Sequence, residues 1–218
     1  MREVIPVPRS PEEVAEDDVW TSWYGGWEPL DRDQVQAFFA GFDRPWWFVG
    51  GWTIESFTGI AREHEDADVS LLACDVPALR EHVRGRWHLW SVGEGSLRPL
   101  TDDRPDLGAP DGQMWVRRDG SSPWVLDLPV TPDRDGRWTS KRMPEDVREV
   151  AEATRVGDDG LRYLRPEITL LFKARLDRTK DRLDRDLAWP LLDDDARRWL
   201  AETVRRIYPG HAWLPHLT

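Results

Sequence analysis

The sequence predicts an α/β (α+β) protein: a mixed sheet flanked by helices over residues 1–142, then a helical C-terminal region over 143–218. Three observations carry that expectation. Short apolar or alternating stretches, bounded by Gly, Pro, Asp and Ser, recur up to about residue 142 and read as strands. Stretches with helix-start signals are interleaved with the first of them. From Pro144 onward the pattern turns to longer helical stretches.

In chain order, residues 1–30 are rich in Pro, Glu, Asp and Trp and read as an irregular arm that packs Trp20, Trp23 and Trp27 onto the body. Asp31 is a good N-cap for a helix over DRDQVQAFFAGF, which Pro45 closes off. Trp46 to Val49 reads as a short buried strand, Gly50-Gly51 as a turn, and WTIESFTG as a helix. Asp66 to Ala73 reads as a strand, and VPALREHV, after Asp75, as a helix. Further strands are expected at 87–92, 113–118, 124–128 and 137–141, with 93–112 as a loop. Pro166 suits the first turn of a helix over PEITLLFKARL. RTKDRLDRDLAW and DDDARRWLAETVRRIY follow as helices, the last with acids in its first turn and arginines near its end, as the helix dipole favours.

Composition removes several classes. The chain has 218 residues, 14 of them Trp, which argues against disorder. No apolar run approaches the roughly 18 residues a membrane span needs, and the opening residues lack the apolar core of a signal peptide. Cys74 is the lone cysteine, so an intrachain disulfide and a cysteine zinc site are excluded. A cytoplasmic protein is expected, with no membrane partner. The formal charge of -11 makes the chain a poor non-specific ligand for nucleic acid and suits cationic or metal-bridged small molecules, although solubility alone accounts for such a charge. Only Lys141, Lys173 and Lys180 are lysines among 30 basic residues.

Chemistry concentrates in FVGGWTIESFTGIAREHEDADVSLL, residues 48–72. Gly50 and Gly51 after a strand let backbone approach a phosphate chain, and the following helix aims its N–H groups at an anion. Asp66 and Asp68, two apart on a strand, project from one face. Carboxylates that close repel unless a cation lies between them, and magnesium takes one or two carboxylates plus water and phosphate oxygens. The alternative for an isolated Asp-x-Asp is a solvated strand edge. Arg62 is a candidate phosphate ligand or a surface salt bridge to Glu55 or Glu63. His64 is a candidate to polarise a phosphate or brace Asp66.

The ordered set Gly50, Gly51, Trp52, Arg62, His64, Asp66 and Asp68 resembles the aminoglycoside-2''-adenylyltransferase-like branch of the nucleotidyltransferase superfamily. WYGGWEPL upstream and LRPEITLLFKARLDRTKDRLD downstream extend the resemblance over most of the chain. It departs at Thr53 and Glu55, where many relatives carry Ala and Asp; Glu55 keeps the charge.

The resemblance implies a nucleotidyltransferase-like fold and a third carboxylate on a later strand. Asp127, in PWVLDLPV, is the candidate, because an unpaired acid in mid-strand is costly to bury; a strand-end Asp facing water is the alternative. It further implies that Lys173 and Lys180 serve the nucleotide, and Lys180-Asp181 with Asp184 resembles the family's Lys-Asp-x-x-Asp motif. Seven residues apart, the lysines would share a face of a continuous helix; Lys180 and Asp184 could equally form an i,i+4 pair. The implied activity is a magnesium-dependent, adenylyltransferase-like transfer of a nucleotide, AMP from ATP first, to a hydroxyl of an aminoglycoside-like small molecule. Asp66, Asp68 and Asp127 would be the catalytic metal ligands. Gly50, Gly51, Arg62, His64, Lys173 and Lys180 would be the nucleotide-binding residues. A toxin-type enzyme acting on tRNA or protein, and a non-catalytic nucleotide-binding protein, are the competing classes.

Overall fold

The computed structural model describes residues 4–7, 9–93, 96–109 and 112–218. The elements run α1 (Pro11–Tyr24), α2 (Arg32–Phe38), β1 (Trp46–Phe48), α3 (Gly50–Thr58), β2 (Val69–Leu71), α4 (Val76–Val83), β3 (His88–Gly93), β4 (Ser96–Pro99), β5 (Gln113–Arg117) and β6 (Trp124–Pro129). They continue β7 (Asp133–Arg134), β8 (Arg137–Thr139), β9 (Val147–Arg148), α5 (Val150–Ala153), β10 (Thr154–Val156), β11 (Arg162–Leu164), α6 (Pro166–Leu176), α7 (Thr179–Ala188) and α8 (Asp194–Ile207). The fold is mixed α+β with a helical C-terminal part.

The chain forms two compact units, each built from separated stretches. One comprises Met1–Val14, Phe48–His64 and Ala153–Thr218; the other comprises Ala15–Trp47 and Glu65–Glu152.

The second unit is organised by an antiparallel sheet of order β4-β3-β5-β6. Burial alternates along β5 and β6, so Met114, Val116, Leu126 and Leu128 form the covered face. Gln113, Trp115 and Asp127 stand on the other face, as the two-residue period of a strand requires. Beyond β6 the chain around β2 runs parallel to it, through the bridges Asp68↔Asp127 and Leu72↔Thr131. The Asp127 N–H donates to the Ala67 carbonyl at 2.9 Å, and the Thr131 N–H to the Leu71 carbonyl at 2.9 Å. Trp27 bridges to Trp124, and the Trp124 indole N–H donates to the Tyr24 carbonyl at 2.7 Å. A separate three-stranded sheet has the order β7-β8-β9.

In the first unit β11 pairs antiparallel with β10, and Phe48, the last residue of β1, stands opposite Tyr163 in parallel register. Helix α6 packs against α3, α7 and α8. It is therefore buried nearly all round, from Pro166 to Ala174, which accounts for its run ITLLF. It ends where Asp177 turns left-handed, at φ 48°. Helix α8 buries Leu200, Thr203 and Val204, spaced three and four apart on one stripe.

Several expectations need correction. Residues 11–24, expected within an irregular arm, are α1. Its start is a capping box: the Glu13 N–H donates to Ser10 Oγ at 3.2 Å and the Ser10 N–H to Glu13 Oε2 at 2.7 Å. Trp20 and Trp23 do not pack down; they are 44% and 72% exposed, whereas Trp27 lies against Trp115 and Trp124. The stretch 93–112 contains β4, and 147–164 contains β9, β10 and β11, so sustained helix begins at Pro166 and not at 144. No helix among the described residues is long and apolar enough to cross a membrane.

Candidate active site

The second unit brings Asp66, Asp68 and Asp127 together. Asp66 and Asp68, expected at the start of a strand over Asp66 to Ala73, lie just ahead of the shorter β2, while Asp127 occupies the middle of β6. The bridge between Asp68 and Asp127 sets the two side by side, and carboxylate oxygens of all three residues lie within 4.8 Å of one another. Three acids this close repel, so the arrangement suits a bound cation. An all-oxygen donor set fits a hard divalent ion such as magnesium or manganese. Burial pushes the Asp127 carboxyl well above the usual carboxylate range, and the charges of Asp68 and Asp66 push it further. Opposing them, the Gln113 amide nitrogen donates to both Asp127 oxygens, at 2.7 and 2.6 Å. Gln113 was not among the expected site residues. The signal for it was its place two residues from Trp115 on a strand beside β6.

Gly50, Gly51, Arg62, His64, Lys173 and Lys180 lie in the first unit. The glycines form the first turn of α3 itself, not a turn ahead of it. Gly50 needs its missing Cβ for a φ of 61°. Gly51 needs it because a Cβ there would run into the Arg62 guanidinium. Arg62 is buried, and its partner is Asp184, neither Glu55 nor Glu63 side chain: Nε lies 3.3 Å from Oδ1, and Nη2 donates to Oδ2 at 3.4 Å. Its Nη1 donates to the Glu63 carbonyl at 3.0 Å.

Lys173 is also buried, with Nζ 2.8 Å from Asp184 and 3.2 Å from Asp181. Arg178 Nε completes the cluster, 2.9 Å from Asp181. Burial alone would raise Asp181, but the Arg178 hydrogen bonds and the Lys173 charge outweigh it and hold the carboxyl below its ordinary range. Lys180 is half-buried in the first turn of α7. The break at Asp177 puts it on a different helix from Lys173, so the shared face of a continuous helix does not form. His64 Nε2 lies 2.8 Å from Glu55 Oε2, and its ring stacks on Trp52 at 3.9 Å and 4°. Glu55 also accepts from the Arg62 backbone N–H at 3.2 Å. Asp184 and Glu55 thus organise this unit together with Asp181; Asp184 was expected only within the Lys-Asp-x-x-Asp motif and Glu55 only as a salt-bridge partner of Arg62.

No protein-family model matches the chain, and no curated protein matches it. Among solved structures it is similar to the antibiotic-resistance factor ANT(2'')-Ia, whose solution structure reveals substrate-regulated conformation dynamics. The identity is 20%, the match covers 86% of this chain and 97% of that one, and the TM-score is 0.49.

Proposed function

We propose that the protein is a magnesium-dependent nucleotidyltransferase that moves AMP from ATP to a hydroxyl of a small, aminoglycoside-like molecule. The observation that carries this reading is the cluster of Asp66, Asp68 and Asp127, with carboxylate oxygens within 4.8 Å of one another. In this reading the three carboxylates hold the divalent cation. When bound, such an ion neutralises charge on the transferring α-phosphate and the departing pyrophosphate. The acceptor hydroxyl oxygen bonds to the α-phosphorus, the bond to the β-phosphate oxygen breaks, and pyrophosphate leaves with that electron pair. Asp127 shares the cation or accepts the hydroxyl proton. Gly50, Gly51 and Lys180 serve the nucleotide phosphates. Arg62, His64 and Lys173 serve it from within the ion pairs and stacking that hold them. A net charge of -11 favours a cationic acceptor.

The test is transfer from α-labelled ATP, GTP, CTP and UTP with magnesium, offering aminoglycosides, other hydroxylated antibiotics and total tRNA. The expected outcome is label on a small molecule, absent with Asp66→Ala. Label on tRNA or on protein would replace the acceptor assignment with a toxin-type one. Nucleotide binding without transfer to any acceptor would favour a non-catalytic protein.

A further inference from the structure

Gln113 and Asp127 face the same side of the sheet from neighbouring strands. Trp115 stands directly opposite Asp127 in the register, and Gln113 stands opposite Pro129, so Gln113 reaches Asp127 on the diagonal. Such diagonal neighbours lie about 7–8 Å apart at Cα, within reach of a long side chain. Strand β5 is interior to its sheet, held by β3 on one side and β6 on the other. Gln113 therefore has a fixed base from which to hold its neighbour. Its one amide nitrogen donates to both oxygens of the carboxylate, at 2.7 and 2.6 Å. Against the ionised carboxylate that would bind a cation, a reversed amide would aim an acceptor oxygen at an acceptor, so the amide nitrogen is assigned as the donor.

We infer that Gln113 is a positioning residue: it fixes the orientation of the Asp127 carboxylate and so sets the affinity of the three-acid cluster for a divalent cation. The inference rests on the reading that the cluster holds such an ion. The terminal torsion of an aspartate is soft, and the negative charges of Asp66 and Asp68 act to turn Asp127 away. Gln113 opposes that turn without adding charge. A lysine or arginine in its place would hold the carboxylate equally well but neutralise the charge that attracts the cation. The two bonds occupy one acceptor position on each oxygen of a group that offers about four, so acceptor capacity remains for a metal. Partners that orient ligand carboxylates typically govern about 10–100-fold in metal affinity.

The experiment is a titration of the full chain with Mn2+, without nucleotide, following free Mn2+ by its electron paramagnetic resonance signal. Gln113→Met keeps length and bulk but removes the donors, and the affinity should fall by about 10–100-fold with unchanged circular dichroism. Trp115→Phe, on the same face of the same strand, should stay within about twofold of the parent. In the metal-free protein, the Gln113 side-chain amide resonances should shift on Asp127→Leu, a readout independent of any ion. Should the Met variant not fold, Gln113→Asn, one methylene too short to straddle the carboxylate, takes its place with the same expected loss. A folded Gln113 variant that binds Mn2+ within twofold of the parent, while Asp127→Asn binds it poorly, overturns the inference alone. If Asp127→Asn binds as well as the parent, or the parent binds no Mn2+, the metal-cluster reading fails and takes the inference with it.

Discussion

Asp184 is fully buried, and two buried cations depend on it. Arg62 and Lys173 both converge on its carboxylate, 3.3 and 2.8 Å away. Removing one member of a buried ionic cluster leaves the others uncompensated, at a cost of about 3–5 kcal/mol. Asp184→Ala should therefore lower the unfolding free energy by about that amount in urea, and a loss below about 1 kcal/mol, the size expected of an exposed pair, would contradict the cluster's role. Asp127 predicts the opposite sign. Its carboxyl is raised in the folded protein, first by burial and then by the charge of Asp68. Between the ordinary carboxylate range and that raised value the folded state binds more protons than the unfolded one, so stability falls as pH rises through the window. In metal-free buffer at pH 7, Asp127→Asn should stabilise the chain by on the order of 1 kcal/mol. The gain should shrink as pH falls toward about 4, where the unfolded carboxyl is itself protonated. Melting at both pH values checks the sign; an unchanged or lower Tm at pH 7 would contradict it.

Elements show which parts of the chain carry their own instructions. Helix α4 coincides with VPALREHV, and α6 with PEITLLFKARL, because starts and lengths are written locally. Helix α1 was equally legible in principle, since Ser10 and Glu13 form the capping box and Pro11 follows the cap, yet the surrounding Pro and acids read as irregular. Strands β4, β9, β10 and β11 have four, two, three and three residues, too few for a period to register; their partners across the sheet define them. At the site the same division holds. Gly50, Gly51, Asp66 and Asp68 fall within one local stretch of sequence, whereas Asp184, legible as part of a Lys-Asp-x-x-Asp motif, is 122 residues from Arg62, and that pairing is identified only by the fold. Because α1 buries none of its residues and is tied down through Tyr24 at its far end, its first turns rest on its cap. Ser10→Ala should cost α1 about 1 kcal/mol, seen as faster amide exchange over residues 14–24, with the Tm of the chain unchanged. A fall in Tm would mean that α1 supports the core.

At the scale of the whole molecule, the charge of -11 and the three clustered carboxylates point to the same dependence on cations. General screening and specific binding both relieve carboxylate repulsion, and they are separable. Monovalent salt at matched ionic strength acts on every exposed acid over about 10 Å or less. A divalent ion, if held by Asp66, Asp68 and Asp127, would stabilise by mass action, about 2.7 kcal/mol at a hundred times its dissociation constant. Magnesium should therefore raise the Tm beyond what sodium chloride at equal ionic strength achieves. Asp68→Asn should keep the sodium response and lose the excess, because it removes one ligand and one charge of 41 acids. Manganese should act in place of magnesium, since both suit an all-oxygen donor set. If Asp68→Asn keeps the full magnesium excess, the ion is bound elsewhere on this acidic surface, and the three carboxylates are neighbours without a shared ligand.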